Sequence, residues 1–431
     1  MIGKNTIIKY ITGFVITAAL LTAVLCLVAK IPGEVIRSNM LESAEYLNDR
    51  EVYFPVIEGV NGSKIDRYAD SILLNIAWSY DTDHPLRSTM LSAYYYTPDH
   101  EENEDLLTAV RDDIKPNQQY LRYWHGSLSI VRPLLTLMSV RGIYILNAIV
   151  LAILLLSLLI VLIKLREGLA AFGILLGVVM TSWWFVPMSL EYTWTCLTAL
   201  AACLAVIALY RGNKADIYGL FFMITGIITV YLDFLTTETL TLLLPLLIFL
   251  RLERKKGRAF VITIEAAVSW TIGYALMWVL KWFLAAAVFK ENVMPYVKGH
   301  IEERLGGTLG INDLNLAQFM EQAVLRNIKC LFPLEYGTAG MAALIIGFLL
   351  MILFVFKYRI KTRDFDIKQV FVFGLLALLP FVRYLVLHNH SYRHYFFTYR
   401  ALTATIFALV LIFGEITENK ATKLAIKEEA L

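Results

Sequence analysis

Apolar residues run along this chain in ten long stretches, near 7–29, 141–163, 168–187, 192–210, 215–231, 239–250, 259–289, 339–357, 368–387 and 397–414. At about 1.5 Å per residue, most of them reach across a hydrocarbon layer about 30 Å thick. The pattern therefore predicts an all-α polytopic membrane protein with about ten transmembrane helices. The loops Lys164–Arg166, Arg211–Lys214, Arg251–Arg258 and Lys357–Lys368 hold fourteen Lys or Arg, whereas 187–191, 232–238 and 387–396 hold only Arg393. Basic loops stay on the cytoplasmic side. A multi-pass protein of the cell membrane with both termini cytoplasmic is the expected arrangement.

This topology divides the chain into a first anchor (1–32), an outer segment (33–140), helices two to seven (141–289), a second outer loop (290–336), and helices eight to ten with a cytoplasmic tail (337–431). Residues 33–140 are too polar to cross a bilayer and too long for a simple connection, so they are expected to fold on the outer surface. Within them Gly33–Arg50 and Ile65–Trp78 read as amphipathic helices, and Tyr120–Met138 as a helix lying in the interface that Pro133 kinks or ends. The run Asp99–Asp105 follows Pro98 without apolar period and reads as a solvated acidic loop. In the second outer loop, Asn315–Cys330 has a helical pattern.

Composition narrows the class further. With 58% hydrophobic and 17% charged residues, the chain is no ordinary soluble domain. Its net charge of +3 is carried largely by loops where topology demands it, and no nucleic-acid site is read from it. The end of the first stretch, Leu27-Val28-Ala29-Lys30-Ile31-Pro32, offers no small-x-small cleavage site, so this stretch is expected to remain as an anchor. Cys26, Cys196 and Cys203 lie in apolar stretches and Cys330 sits alone in an outer loop. Packing is their expected role, with no disulfide framework.

Which side chains carry chemistry? Asp66 and Asp70 stand four apart and would share a helix face beside Ile72, Leu73 and Leu74; they are either solvated charges or a base for an acceptor hydroxyl. The stretch His388–Arg400 is more unusual. On a continuous helix His390, Arg393, His394, Phe397 and Arg400 fall on one side, a basic stripe that suits a phosphate or anchors the chain at the interface. Zinc held by His388, His390 and His394 lacks a carboxylate or thiol nearby, and no metal is expected. In the turn 231–238, Thr236 can cap the following helix and Glu238 can complement its dipole, which leaves Asp233 unexplained; Glu191 after Ser189 also reads as helix capping. Lys281 lies deep in its span and needs an anionic partner, while Arg383 can snorkel or bind phosphate. Trp124, His125 and Arg132 are candidates for a headgroup or sugar contact.

A first span, a large outer segment with a helical acidic motif, and a many-span body with outer basic residues resemble the GT-C class of integral-membrane glycosyltransferases. Arg67-Tyr68-Ala69-Asp70, Tyr123-Trp124-His125-Gly126, Asp233-Phe234-Leu235-Thr236-Thr237, and His390-Ser391 with His394 and Arg400 look like patterns in multi-span proteins of Gram-positive surface-polysaccharide loci. The resemblance implies transfer of a sugar from a polyprenyl-phosphate-linked donor to a glycan or glycolipid acceptor, without a cofactor, at the outer membrane face. It also implies a base among Asp70, Asp66 and Asp233, with Asp70 preferred, and donor-phosphate contacts from Arg393, His394, Arg400, His390, Lys281 and Arg383. Substrate contacts would come from Trp124, His125, Arg132 and Glu238. A polysaccharide polymerase or ligase, or a transporter of lipid-linked glycans, is the alternative.

Overall fold

The structure is a computed structural model that describes residues 4–214, 217–253, 258–290, 292–305, 314–361 and 365–419. Parts of the basic loops 251–258 and 357–368, and the tail from residue 420, lie outside the described residues. The fold is all-α. It begins with α1 (Lys4–Ala29), after which α2 (Gly33–Leu47), strands β1 (Tyr53–Pro55) and β2 (Lys64–Asp66), α3 (Arg67–Trp78), α4 (Pro85–Leu91), α5 (Glu102–Arg111) and α6 (Leu128–Leu134) build the polar segment. The body follows as α7 (Val140–Lys164), α8 (Gly168–Met180), α9 (Leu190–Arg211), α10 (Tyr218–Leu232), α11 (Leu240–Glu253) and α12 (Ala259–Phe289). Then come α13 (Met294–Leu305), α14 (Leu316–Lys329), α15 (Gly337–Lys357), β3 (Tyr358–Ile360), α16 (Ile367–Val386), α17 (His388–Arg393), α18 (Tyr395–Thr398), α19 (Leu402–Ile416) and β4 (Thr417–Asn419).

Among the described residues seven helices are long and apolar enough to cross a membrane: α1, α7, α9, α12, α15, α16 and the run from α18 through α19. The other three expected spans fall on α8, α10 and α11, which have 13, 15 and 14 residues and reach only about 20 Å. α8 stops early because Ser182 takes a left-handed conformation, φ 52°, and the chain continues as a 3₁₀ turn over Trp183–Met188 that contains Pro187. α11 is apolar all round and buried from Leu240 to Leu250, as a helix in the middle of a bundle should be.

Two cores organise the body. One joins α8, α9, α11, α16 and α19 through residues such as Ile174, Leu200, Leu247, Phe373 and Phe407. The other is shared between the polar segment and the bundle: Ile36, Met40, Leu73, Leu74, Leu106, Trp124 and Val131 belong to one cluster with Met223, Ile227, Tyr231 and Met277, joined through Trp124 on Tyr231. α10 and α12 approach closely enough that a Cβ on Gly226 would lie 2.2 Å from the Trp270 carbonyl oxygen, and one on Gly273 would lie 2.1 Å from that of Met223. Small residues are what permit such backbone contact between apolar helices. At the opposite end of the bundle from the polar segment, Arg251 bridges Glu167 and Glu415, and β3 pairs antiparallel with β4.

Several local expectations change. The predicted helix 65–78 starts only at Arg67, because Lys64–Asp66 pairs with Tyr53–Pro55 and Asp66 becomes the N-cap. Of the predicted interfacial helix 120–138, only α6 forms. Gly126 is drawn under Tyr231, donating its N–H to that carbonyl at 2.9 Å, and a Cβ there would lie 2.3 Å from the same oxygen. The acidic run is half helical: α5 begins at Glu102, and the buried Asp105 accepts from the Thr97 N–H at 3.0 Å.

Candidate functional site

Where the polar segment meets the ends of α9, α10 and α16, the helices leave a cavity of about 500 Å³. Its wall comes from segments far apart in sequence. β2 and α3 supply Lys64, Asp66 and Tyr68; the loop before α6 supplies Arg122, Tyr123 and His125; the start of α9 supplies Glu191; the turn after α10 supplies Phe234; and α17 and its flank supply His390, Arg393 and His394.

Of the three candidate aspartates, Asp66 is the one that faces this space. Its Oδ1 caps α3 by accepting the Ala69 N–H at 2.8 Å, and its carboxyl is hydrogen-bonded to that of Glu191, which requires one proton between them. Burial pushes the Asp66 pKa up to about 7, against the stabilising Ala69 and Glu191 hydrogen bonds; Asp70 adds to the rise and Lys64 opposes it.

Asp70, the preferred base in the sequence, does not line the cavity. It sits behind the wall and accepts from Tyr144 Oη, from Ser189 Oγ at 3.1 Å, and from the N–H groups of Leu190 and Glu191 at 2.9 and 3.1 Å. It is thus a cap for α9 supplied from another helix, and its occupied oxygens leave no room for a substrate proton. Burial raises its pKa to about 6, although all four hydrogen bonds pull it down. Asp233 is likewise committed: it accepts from Thr195 Oγ1 at 2.6 Å and from the Thr236 N–H, closing its own turn. Burial, then the neighbouring Glu238, raises it to about 6.

The basic stripe divides. α17 ends at Arg393, and the chain bends at His394 (φ −107°, ψ 27°) before α18 and a 3₁₀ turn over Tyr399–Ala401. His390, Arg393 and His394 stay on the cavity, the two imidazoles 4.7 Å apart. Arg400 turns into the protein, where Nη2 donates to the Gly62 carbonyl at 3.2 Å and the guanidinium stacks 4.9 Å from the Tyr192 ring. His388 faces Phe319 instead, ring centroids 5.8 Å apart.

Other polar residues read as ligand contacts hold the fold. Arg383 binds Glu238 through both carboxylate oxygens, at 2.7 and 3.0 Å, and donates to the Leu235 carbonyl at 2.8 Å. Lys281 finds carbonyls rather than an anion, donating to Thr89 and Met90 at 3.0 and 2.9 Å. Those are the last carbonyls of α4, where a cation is favoured. Trp124 donates Nε1–H to the Met277 carbonyl at 3.0 Å. Arg132, its pKa lowered to about 10 by burial, donates to the Ile31 carbonyl. Of the four expected substrate contacts only His125 reaches the cavity.

Lys64, Arg122 and Glu191 were missed as site residues. The Lys64 ammonium lies 5.0 Å from both the Tyr53 ring of β1 and the Phe396 ring of α18, a setting brought together from remote segments that its own strand, Lys-Ile-Asp, does not signal. The Arg122 guanidinium lies 5.7 Å from both Tyr120 and Tyr123. The wall thus combines a carboxyl pair, cations held on aromatic faces, and imidazoles, a set able to take a proton and to hold an anion beside an apolar ring face. No family model, curated protein or solved structure matches the chain, so the chemistry of the cavity rests on its own residues.

Proposed function

We propose that the protein is a membrane glycosyltransferase that moves a sugar from a polyprenyl-phosphate donor to a glycan or glycolipid acceptor on the outer face of the cell membrane. The observation that carries this reading is the meeting of a carboxyl pair, Asp66 with Glu191, and the cations Arg393, Arg122 and Lys64 in one cavity at the end of an apolar bundle. A lipid-phosphate donor needs that combination: hydrocarbon for its tail, cations for its head, and a base nearby. In the proposed step the acceptor hydroxyl oxygen attacks the anomeric carbon and its proton passes to Asp66. The bond from that carbon to the phosphate oxygen breaks with its electron pair, and the configuration inverts. Arg393, with N–H groups of His390 and His394, stabilises the leaving phosphate.

Arg393→Ala is expected to weaken binding of a polyprenyl-phosphate hexose by about 10–100-fold, the loss of one charge-assisted contact, in purified protein that remains folded. A panel of such donors, each with a single hexose, is the direct assay. Transfer of single sugars supports the proposal, whereas activity only on preassembled lipid-linked oligosaccharides would replace it with a polymerase or ligase.

The same reading has α8, α10 and α11 completing ten spans, tilted or shortened inside the bundle, with residues 33–140 outside and both termini cytoplasmic. The Lys and Arg count supports that orientation. In a cysteine-free background, an impermeant thiol reagent applied to intact cells should modify Asp99→Cys and spare Lys214→Cys, both of which are exposed positions. The reverse labelling would turn the cavity to the cytoplasm and end the proposal.

A further inference from the structure

His125 lines the cavity. Its Nδ1 lies 3.1 Å from Ser92 Oγ. With that hydroxyl turned to the Thr89 carbonyl, 3.1 Å away, Ser92 accepts and Nδ1–H donates, and we assign His125 this tautomer. Burial, with the charges of Lys281 and Arg122, pushes the imidazole well below its ordinary pKa and keeps it neutral, against a hydrogen bond to the Tyr123 backbone. With its one proton on Nδ1, Nε2 is a bare acceptor. That atom is buried without a hydrogen-bond partner, on a ring that is 2% exposed and lines the cavity. Tyr120, Tyr123 and Phe234 surround it with ring centroids 5.1, 6.1 and 5.5 Å away.

A buried acceptor of this kind calls for a donor, from water or from a ligand. We infer that Nε2 of His125 accepts a hydrogen bond from a hydroxyl group of the sugar ring bound in this cavity, which makes His125 a specificity-determining residue. The inference rests on the reading of the cavity as a sugar-transfer site. It also gives the ligand a direction. Phosphate oxygens only accept, so they are repelled by this lone pair and turn toward Arg393, while the hydroxyl-bearing edge of the sugar turns toward His125 and the aromatic faces around it.

The test uses the full-length protein and the polyprenyl-phosphate hexose that binds it best in the donor panel, together with its single-deoxy and single-deoxyfluoro analogues. Fluorine can accept weakly but cannot donate. At one ring position both replacements should therefore weaken binding alike, by about tenfold, as expected for one lost hydrogen bond to a buried acceptor. In His125→Phe that discrimination should disappear, while His125→Asn, which keeps an acceptor and tolerates the φ of 52°, should retain part of it. Equal binding of every analogue, tolerance of fluorine where hydrogen is rejected, or discrimination that survives in His125→Phe overturns the inference and leaves the transferase reading standing. If no lipid-phosphate sugar in the panel binds the parental protein, the transferase reading fails, and this inference with it.

Discussion

Asp66→Asn is expected to lower sugar transfer by about 10²–10⁴-fold while donor binding persists, because the amide keeps the shape of the side chain and cannot take a proton. The size follows from the role: removing a general base leaves positioning and electrostatic stabilisation in place. The pH dependence has a definite sign. Asp66 acts as a base only when ionised, and burial raises its pKa to about 7, so transfer should rise as the pH is raised through about 7. Glu191→Gln should retain most activity, since a side-chain amide still donates to Asp66, whereas Glu191→Ala removes that donor and should shift the rising limb upward. Initial rates at saturating donor, measured from pH 5 to 9, check all three. Parental rates in Asp66→Asn would rule out the proposed base, and with it the role given to Glu191.

Glu238→Ala should destabilise the protein by about 3–5 kcal/mol, the usual cost of stranding one member of a buried ion pair. Arg383 would keep its positive charge with no carboxylate, held only by the Leu235 and Thr236 carbonyls of the turn and a long contact to Ser391 Oγ. That turn carries Phe234 into the cavity wall, so donor binding should fall together with the melting temperature. The double variant Glu238→Leu with Arg383→Met removes both charges and should recover much of the stability. Thermal unfolding in detergent gives the comparison. A single variant as stable as the double would mean that stranding the Arg383 charge costs nothing.

The helices were legible because burial in an apolar bundle imposes long apolar runs, and the expected span 259–289 coincides with α12. Ends set by single backbone conformations were not. Nothing in the run 168–187 reveals that Ser182 turns left-handed, and the residues before α6 lose their helix to one carbonyl of Tyr231 more than a hundred positions away. The site was half legible. Asp66, His125, His390, Arg393 and His394 were among the candidates and meet in one cavity, yet the helical-face argument for Arg400 assumed a helix that breaks at His394. Lys281 was marked as a deep cation in need of a partner, whereas Arg383 was read as snorkelling or phosphate-binding and Arg132 as a headgroup or sugar contact, and all three are buried. Their partners, a carboxylate in one case and carbonyls in the others, come from remote segments, and spacing along the chain carries no information about them.

The core shared by the polar segment and the bundle has a consequence for biogenesis. α2 to α6 leave the ribosome before α10 and α12, yet Trp124, in the loop before α6, packs on Tyr231 with ring centroids 6.0 Å apart and donates to the Met277 carbonyl. The early segment must therefore wait, its apolar side uncovered, until the later helices have inserted. A chain truncated after Lys214 should leave residues 33–140 open to protease, and expressing that segment alone as an ectodomain should yield aggregate rather than a soluble domain.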